Sequence, residues 1–132
     1  MSDHPNVAAV GRAFAAWNSG QIETLKETFA ADVVLHFAGH NRMSGTYRGV
    51  DAVVDALLRS QQGGAVQADV ETILASDAHV MVFFHATGAR GGTRLDVVLA
   101  LALKVDAAGK FTELWFLAND QAAHDAFYSA LP

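Results

Sequence analysis

Apolar side chains near the start of the chain recur at steps of three and four: Val7, Val10, Phe14 and Trp17. That period puts them on one face of an α-helix, which Asp3 and Pro5 are suited to begin and Ser19-Gly20 to end. Ile22, Leu25 and Phe29 repeat the spacing and predict a shorter second helix. The pattern then changes. Val33 to Phe37 is a β-branched and apolar run ended by Gly39, which predicts a strand, and Gly45 to Arg48 predicts a very short second one. His40-Asn41-Arg42 form the polar loop between them. Helical spacing returns at Val50, Val53, Val54, Leu57 and Leu58, with Gly63-Gly64 to close this third helix.

From there the chain reads as a meander of antiparallel strands. Val66, Ala68 and Val70 alternate with Gln67, Asp69 and Glu71, predicting one dry face and one wet face. Ser76-Asp77 leads into His79–Ala89, Gly91-Gly92 into Arg94–Val105, and Ala107-Ala108-Gly109 into Lys110–Ala118. A last helix, 121–130, carries Ala123 and Phe127 on one side, with Leu131 beyond. Helices at the front and strands behind predict a segregated α+β architecture over residues 1–132 as a single domain, with no linker or repeat. Positions 97, 99, 101 and 103 are Val, Leu, Leu and Leu, while 98, 100 and 102 are Val, Ala and Ala. Both faces of that strand are therefore apolar and both need cover. Helices suit one face, and the small residues of the other suit a flat contact with the sheet of a second copy, a homodimer.

Composition narrows the function classes. Of the 132 residues, 52% are hydrophobic, ample for a buried core. No apolar run reaches the roughly 18–20 residues that span a bilayer, and the polar opening residues lack the order of a secretory signal. A cytoplasmic protein without membrane partners is the expectation. A net charge of −5 with no basic stripe argues against nucleic acid. The absence of cysteine removes disulfides, thiolate nucleophiles and Cys-based metal sites. Nucleotide loops, nucleophile elbows and zinc motifs are missing too, so no cofactor and no metal are expected.

The element order, together with Phe29-Ala30-Ala31-Asp32-Val33-Val34-Leu35-His36, the glycine-punctuated segment Gly39 to Gly49 and the closing Gly109-Lys110-Phe111-Thr112-Glu113-Leu114-Trp115, resembles the nuclear-transport-factor-two-like superfamily. Within it the chain is most similar to SnoaL-like domains, a group that includes polyketide cyclases and relatives of ketosteroid isomerase. The resemblance implies a cone-shaped fold: a curved mixed or antiparallel sheet packed against three N-terminal helices, with a short C-terminal helix and a pocket between helices and sheet. It implies little about chemistry, because folds of this kind host many activities. Ketosteroid isomerases place a carboxylate base at the end of the first strand and an oxyanion hole of Tyr and protonated Asp. The matching stretch here is Val34-Leu35-His36-Phe37, the first helix has no Tyr, and the late strand offers Leu99, Leu101 and Leu103. That mechanism is excluded. Epoxide-hydrolase-like members hold a water between an Arg and two Asp residues. Arg94-Leu95-Asp96 echoes the pair one strand too late, whereas Asp120 matches the last Asp by position, as it matches the general base of SnoaL-like cyclases.

Asp120 is therefore the candidate catalytic base: an apolar surrounding would raise its pKa toward neutrality. It also precedes Gln121-Ala122-Ala123, where it can cap the last helix and stay charged. His36 is the second catalytic candidate, as acid/base or hydrogen-bond donor. A metal shared with His40 is disfavoured, since a spacing of four along a strand separates ligands by about 13 Å. Phe14, Trp17, Phe37, Phe84, Leu101 and Phe116 are candidates to line a pocket for a flat or cyclic apolar ligand, with His40 and Arg42 as a polar lip and Arg90 as a partner for a carboxylate or enolate oxygen. The expected function is binding of a small apolar molecule, as a cofactor-free isomerase or cyclase with an Asp base. The alternatives are a non-catalytic ligand-binding or dimerisation module and an epoxide-hydrolase-like activation of water.

Overall fold

A computed structural model describes residues 4–132, so the Asp3 expected to start the first helix lies outside the described residues. Helix α1 (Pro5–Asn18) is capped instead by His4, whose Nδ1 accepts from the Asn6 N–H at 3.1 Å. Helix α2 (Ile22–Glu27), strands β1 (Phe29–Phe37) and β2 (Gly45–Arg48), and helix α3 (Val50–Arg59) follow. Strands β3 (Gln67–Ala75), β4 (His79–Arg90), β5 (Thr93–Val105) and β6 (Phe111–Ala118) then precede helix α4 (Gln121–Ser129). No helix among the described residues is long and apolar enough to cross a membrane.

The strands form one curved, unclosed mixed sheet in the order β2-β1-β6-β5-β4-β3. Neighbours are antiparallel except β1 and β6, which run parallel. This is the expected α+β cone. Alternation along β5 decides its two faces: Leu95, Val97, Leu99, Leu101, Leu103 and Val105 are buried beneath the helices, and Val98, Ala100 and Ala102 look outward. In register with the outward set stand Met81 and Phe83 of β4 and Trp115 and Leu117 of β6.

Three local expectations are corrected. Phe29 is not helical, because Thr28 closes α2 by bonding Leu25 O through its hydroxyl, and Phe29 then pairs with Phe111 at the start of β6. Helix α3 ends at Arg59, before the glycines, with Ser60 Oγ donating to Leu57 O at 2.6 Å. On β3 a register shift between Val70 and Thr72 breaks the simple alternation and leaves Val70 and Leu74 exposed on this edge strand.

The loop after β1 is fixed to α4. Asp125 Oδ1 accepts from the His40 N–H at 3.0 Å, Asn41 Nδ2 at 2.7 Å and Gln121 Nε2 at 3.1 Å. Gly39 makes this approach possible: its φ is +90°, and a Cβ there would lie 2.1 Å from Asp125 Oδ1 and 2.4 Å from Gln121 Nε2. Gly39→Ala is expected to lower stability by about 1–3 kcal/mol, from backbone strain and displacement of α4. Urea unfolding of the two proteins measures it, and an unchanged midpoint would show that the loop does not hold the helix.

Candidate functional site

The helices cover the inner sheet face without filling it. Between them lies a cavity of about 120 Å³. On this measure a single water needs about 10–15 Å³, so the space exceeds a packing defect and can hold an organic molecule. Val10, Ala13, Phe14 and Trp17 of α1 form one side, with Leu25 of α2 and Leu57 of α3. Phe37 of β1, Phe84 of β4, Leu99, Leu101 and Leu103 of β5, and Leu114 and Phe116 of β6 form the sheet side. Phe14 and Phe84 meet edge to face at 5.7 Å, and Phe84 and Phe116 at 6.5 Å.

Four polar side chains reach this wall besides the indole of Trp17: Ser60, Gln61, His124 and Tyr128. The first two are occupied. Ser60 Oγ donates to Leu57 O and accepts from Gln61 Nε2 at 3.1 Å, and Gln61 Oε1 accepts from the Val66 N–H at 2.7 Å. His124 and Tyr128, one helical turn apart on α4, are 2% and 4% exposed, with ring centroids 4.7 Å apart. Phe37 stacks on His124 at 5.4 Å and meets Tyr128 edge-on at 5.1 Å. Burial pulls the His124 pKa below its ordinary value, against the pull of nearby Asp125, and pushes the Tyr128 phenol up to about 12 despite nearby Arg90. Both groups are therefore neutral at physiological pH. Among the described residues no Asp, Glu, Lys or Arg lines the cavity.

Arg90 lies behind α4 and is 3% exposed. Its guanidinium donates to Ser60 O at 2.6 Å, Gly64 O at 2.8 Å and Phe127 O at 3.3 Å, and sits 4.2 Å from the Phe127 ring centroid and 5.5 Å from that of Tyr128. Ser60 caps the C-terminus of α3, and Phe127 belongs to the last turn of α4. The cation therefore meets the negative ends of two helix dipoles and orients the helix that carries His124 and Tyr128.

The residues expected from the sequence fall into two groups. Phe14, Trp17, Phe37, Phe84, Leu101 and Phe116 surround the cavity. Asp120, His36, His40, Arg42 and Arg90 do not line it. Asp120 is exposed and caps α4, its Oδ1 accepting from the Ala123 N–H at 3.1 Å. His36 lies on the outer sheet face because Leu35 and Phe37 on either side face inward. There it stacks on Trp115 at 5.3 Å and bonds Glu113 Oε2 at 2.6 Å. His40 and Arg42 are exposed, and Arg90 bonds backbone carbonyls instead of facing the cavity. Asp96 pairs with His85 at 2.5 Å, and that carboxylate raises the histidine's pKa. Neither Arg94 nor Asp96 lines the cavity, so no Arg–Asp set for a water is assembled there. Among the described residues no cluster of three His, Asp or Glu side chains could hold a metal.

The Ala123, Phe127 and Leu131 pattern of α4 does not point to His124 and Tyr128. The full set His124, Phe127, Tyr128 and Leu131 has the i, i+3, i+4, i+7 spacing of a buried helix face, which identifies both polar residues as inward.

The family model for the SnoaL-like domain matches residues 10–114. The chain belongs to the SnoaL-like family. This SnoaL-like domain is 31% identical over 132 residues to an uncharacterized protein of Mycobacterium tuberculosis, covering 98% of this chain and 100% of that protein. The structure of Bal32a, from a soil-derived mobile gene cassette, is similar with a TM-score of 0.87 and 30% identity over 93% of this chain and 95% of Bal32a. A putative SnoaL-like polyketide cyclase from Jannaschia sp. CCS1 shares the fold at a TM-score of 0.76 and 20% identity, over 100% of this chain and 99% of that one.

Two measurements follow from the site of this SnoaL-like domain. Arg90→Met leaves buried carbonyls without their donor and is expected to cost about 2–5 kcal/mol in urea unfolding. A loss below about 1 kcal/mol would remove the clamp. The second concerns His124. Its folded pKa is depressed, so below about pH 6.5 the unfolded chain binds a proton that the folded chain refuses, and stability falls as pH falls. The difference in unfolding free energy between the parent and His124→Gln, followed from about pH 8 to pH 5, is expected to change below about pH 6.5 with that sign. A flat difference contradicts the buried neutral imidazole.

Proposed function

We propose that this SnoaL-like domain binds a small, largely apolar molecule between its helices and sheet, and that it does so as a homodimer joined through the outer sheet face. The observation that carries the ligand reading is the cavity itself: about 120 Å³ of space walled by aromatic and aliphatic side chains, with its few polar groups neutral. Burial of an apolar ligand there gains about 25 cal/mol for each Å² removed from water. A charged ligand would lose its hydration with no counter-ion on the wall to replace it. Binding is favoured over proton transfer by Asp120, because that carboxylate caps a helix in water and no other carboxylate takes its place on the cavity wall. A non-catalytic binding module fits this arrangement best.

The dimer reading rests on the outer face. Ala100 and Ala102 form a flat centre, flanked by Met81, Phe83, Trp115 and Leu117, and Leu117 is 49% exposed. A contiguous apolar sheet surface of this kind is characteristic of contact sites, and small central residues let two sheets approach closely.

Calorimetric titration with alkylbenzenes tests the cavity. Saturable binding is expected, with a loss of about tenfold or more in Ala68→Phe, which fills the space from the edge strand. No heat from any hydrocarbon up to its solubility limit would remove the ligand reading. Sedimentation tests the assembly: twice the 14.0 kDa chain mass is expected at micromolar concentration, falling to the monomer in Ala100→Arg. A parent protein that sediments as a monomer contradicts the dimer.

A further inference from the structure

We propose that His124 and Tyr128 form a two-donor anchor for one acceptor oxygen of the cavity's ligand, so that the site selects neutral carbonyl compounds on an apolar ring frame over hydrocarbons of the same shape. The inference rests on the ligand-binding reading above and names the chemistry of that same site.

Three observations carry it. The first is hydrogen-bond accounting. Ser60 and Gln61 are committed to protein partners, whereas among the described residues neither Tyr128 Oη nor His124 Nε2 has one. Buried polar atoms are rarely left this way. Nor are these two sealed in the core. Arg90 Nε is the one side-chain polar atom, among the described residues, that is both inaccessible and unpartnered. Two residues only 2% and 4% exposed, both lining the cavity, therefore carry polar atoms that are neither partnered nor fully sealed.

The second is the direction of the hydrogens. Gln121 Nε2 donates to Asp125 Oδ1 at 3.1 Å and lies 3.5 Å from His124 Nδ1. An amide NH2 has only hydrogens to offer, so this contact favours the tautomer with Nδ1 as acceptor and the ring proton on Nε2. The imidazole thus presents an N–H to the ligand, and the phenol beside it, kept protonated by burial, presents an O–H. Two donors on neighbouring rings match the two lone pairs of a carbonyl oxygen.

The third is rigidity. His124 is held between Phe37 at 5.4 Å and Tyr128 at 4.7 Å, and Arg90 packs 5.5 Å from the Tyr128 ring while tying α4 to the end of α3. Donors fixed before the ligand arrives lose little entropy on binding it. Among the described residues the wall carries neither carboxylate nor cation, which disfavours an ionised ligand and leaves a neutral dipole as the group these donors fit.

Acetophenone and α-methylstyrene differ only in C=O against C=CH2 and provide the test. Calorimetric titration of the full chain with each is expected to show acetophenone binding about tenfold or more tightly, because the alkene leaves both donors unpaired. In Tyr128→Phe, which deletes a hydroxyl with no protein partner, the preference is expected to shrink to about threefold or less, and in His124→Phe, which keeps the stacked ring, to shrink as well. Equal affinities in the parent protein, or a preference unchanged in Tyr128→Phe, would overturn the anchor while leaving the cavity reading intact. Failure of both compounds to bind would overturn the cavity reading and the anchor with it. Far-UV circular dichroism checks that each variant keeps its fold.

Discussion

Strand β5 is apolar on both sides, and the architecture follows from the need to keep both sides from water. Its inward residues, Leu95 to Val105 at odd positions, are all buried, and each such side chain contributes about 1.5–3 kcal/mol by leaving water. The helices that supply this cover are packed on a curved surface. Straight helices on a curved sheet leave a gap, and here the gap is lined by Phe14, Trp17, Phe84 and Phe116 instead of being closed by them. Among the described residues no helix covers the outward Val98, Ala100 and Ala102.

Helix α4 brings His124 and Tyr128 to that gap. It enters from an exposed cap at Asp120, is tied to the β1–β2 loop through Asp125, and ends against Arg90. The charged groups in this part of the molecule serve the backbone: Asp120 satisfies a helix N–H, and Arg90 satisfies carbonyls at two helix C-termini. The residues that meet the cavity are the neutral ones between them. This division explains how a chain with a polar last helix can present a nearly charge-free wall to its interior.

Most of the fold was legible in the pattern of apolar and polar positions. The long strands β4, β5 and β6 and the helix α1 stand within one or two residues of their expected limits, because each buries one continuous face and the period records it. The errors fall where a local contact overrides the period: Thr28 ends α2 early, and the shift at Val70 and Thr72 reverses the faces of β3. The cavity's aromatic lining was legible for the same reason as the core, since both consist of inward apolar residues.

What the sequence determined by itself is the α+β order and the two-faced apolar strand, which follow from side-chain chemistry repeated at the helix and strand periods, together with the family, which its motifs resemble. What only the tertiary structure decided is which polar groups meet the cavity. Asp120, His36 and Arg90 read as functional because their chemistry suits catalysis, but a helix cap, the outer side of a strand and two helix ends claim them. His124 and Tyr128 reach the cavity wall only through the packing of α4 against Phe37 and Arg90. The physical reason is that periodicity assigns a residue to a face, whereas a site forms where faces of elements distant in sequence converge, and that convergence is set by packing.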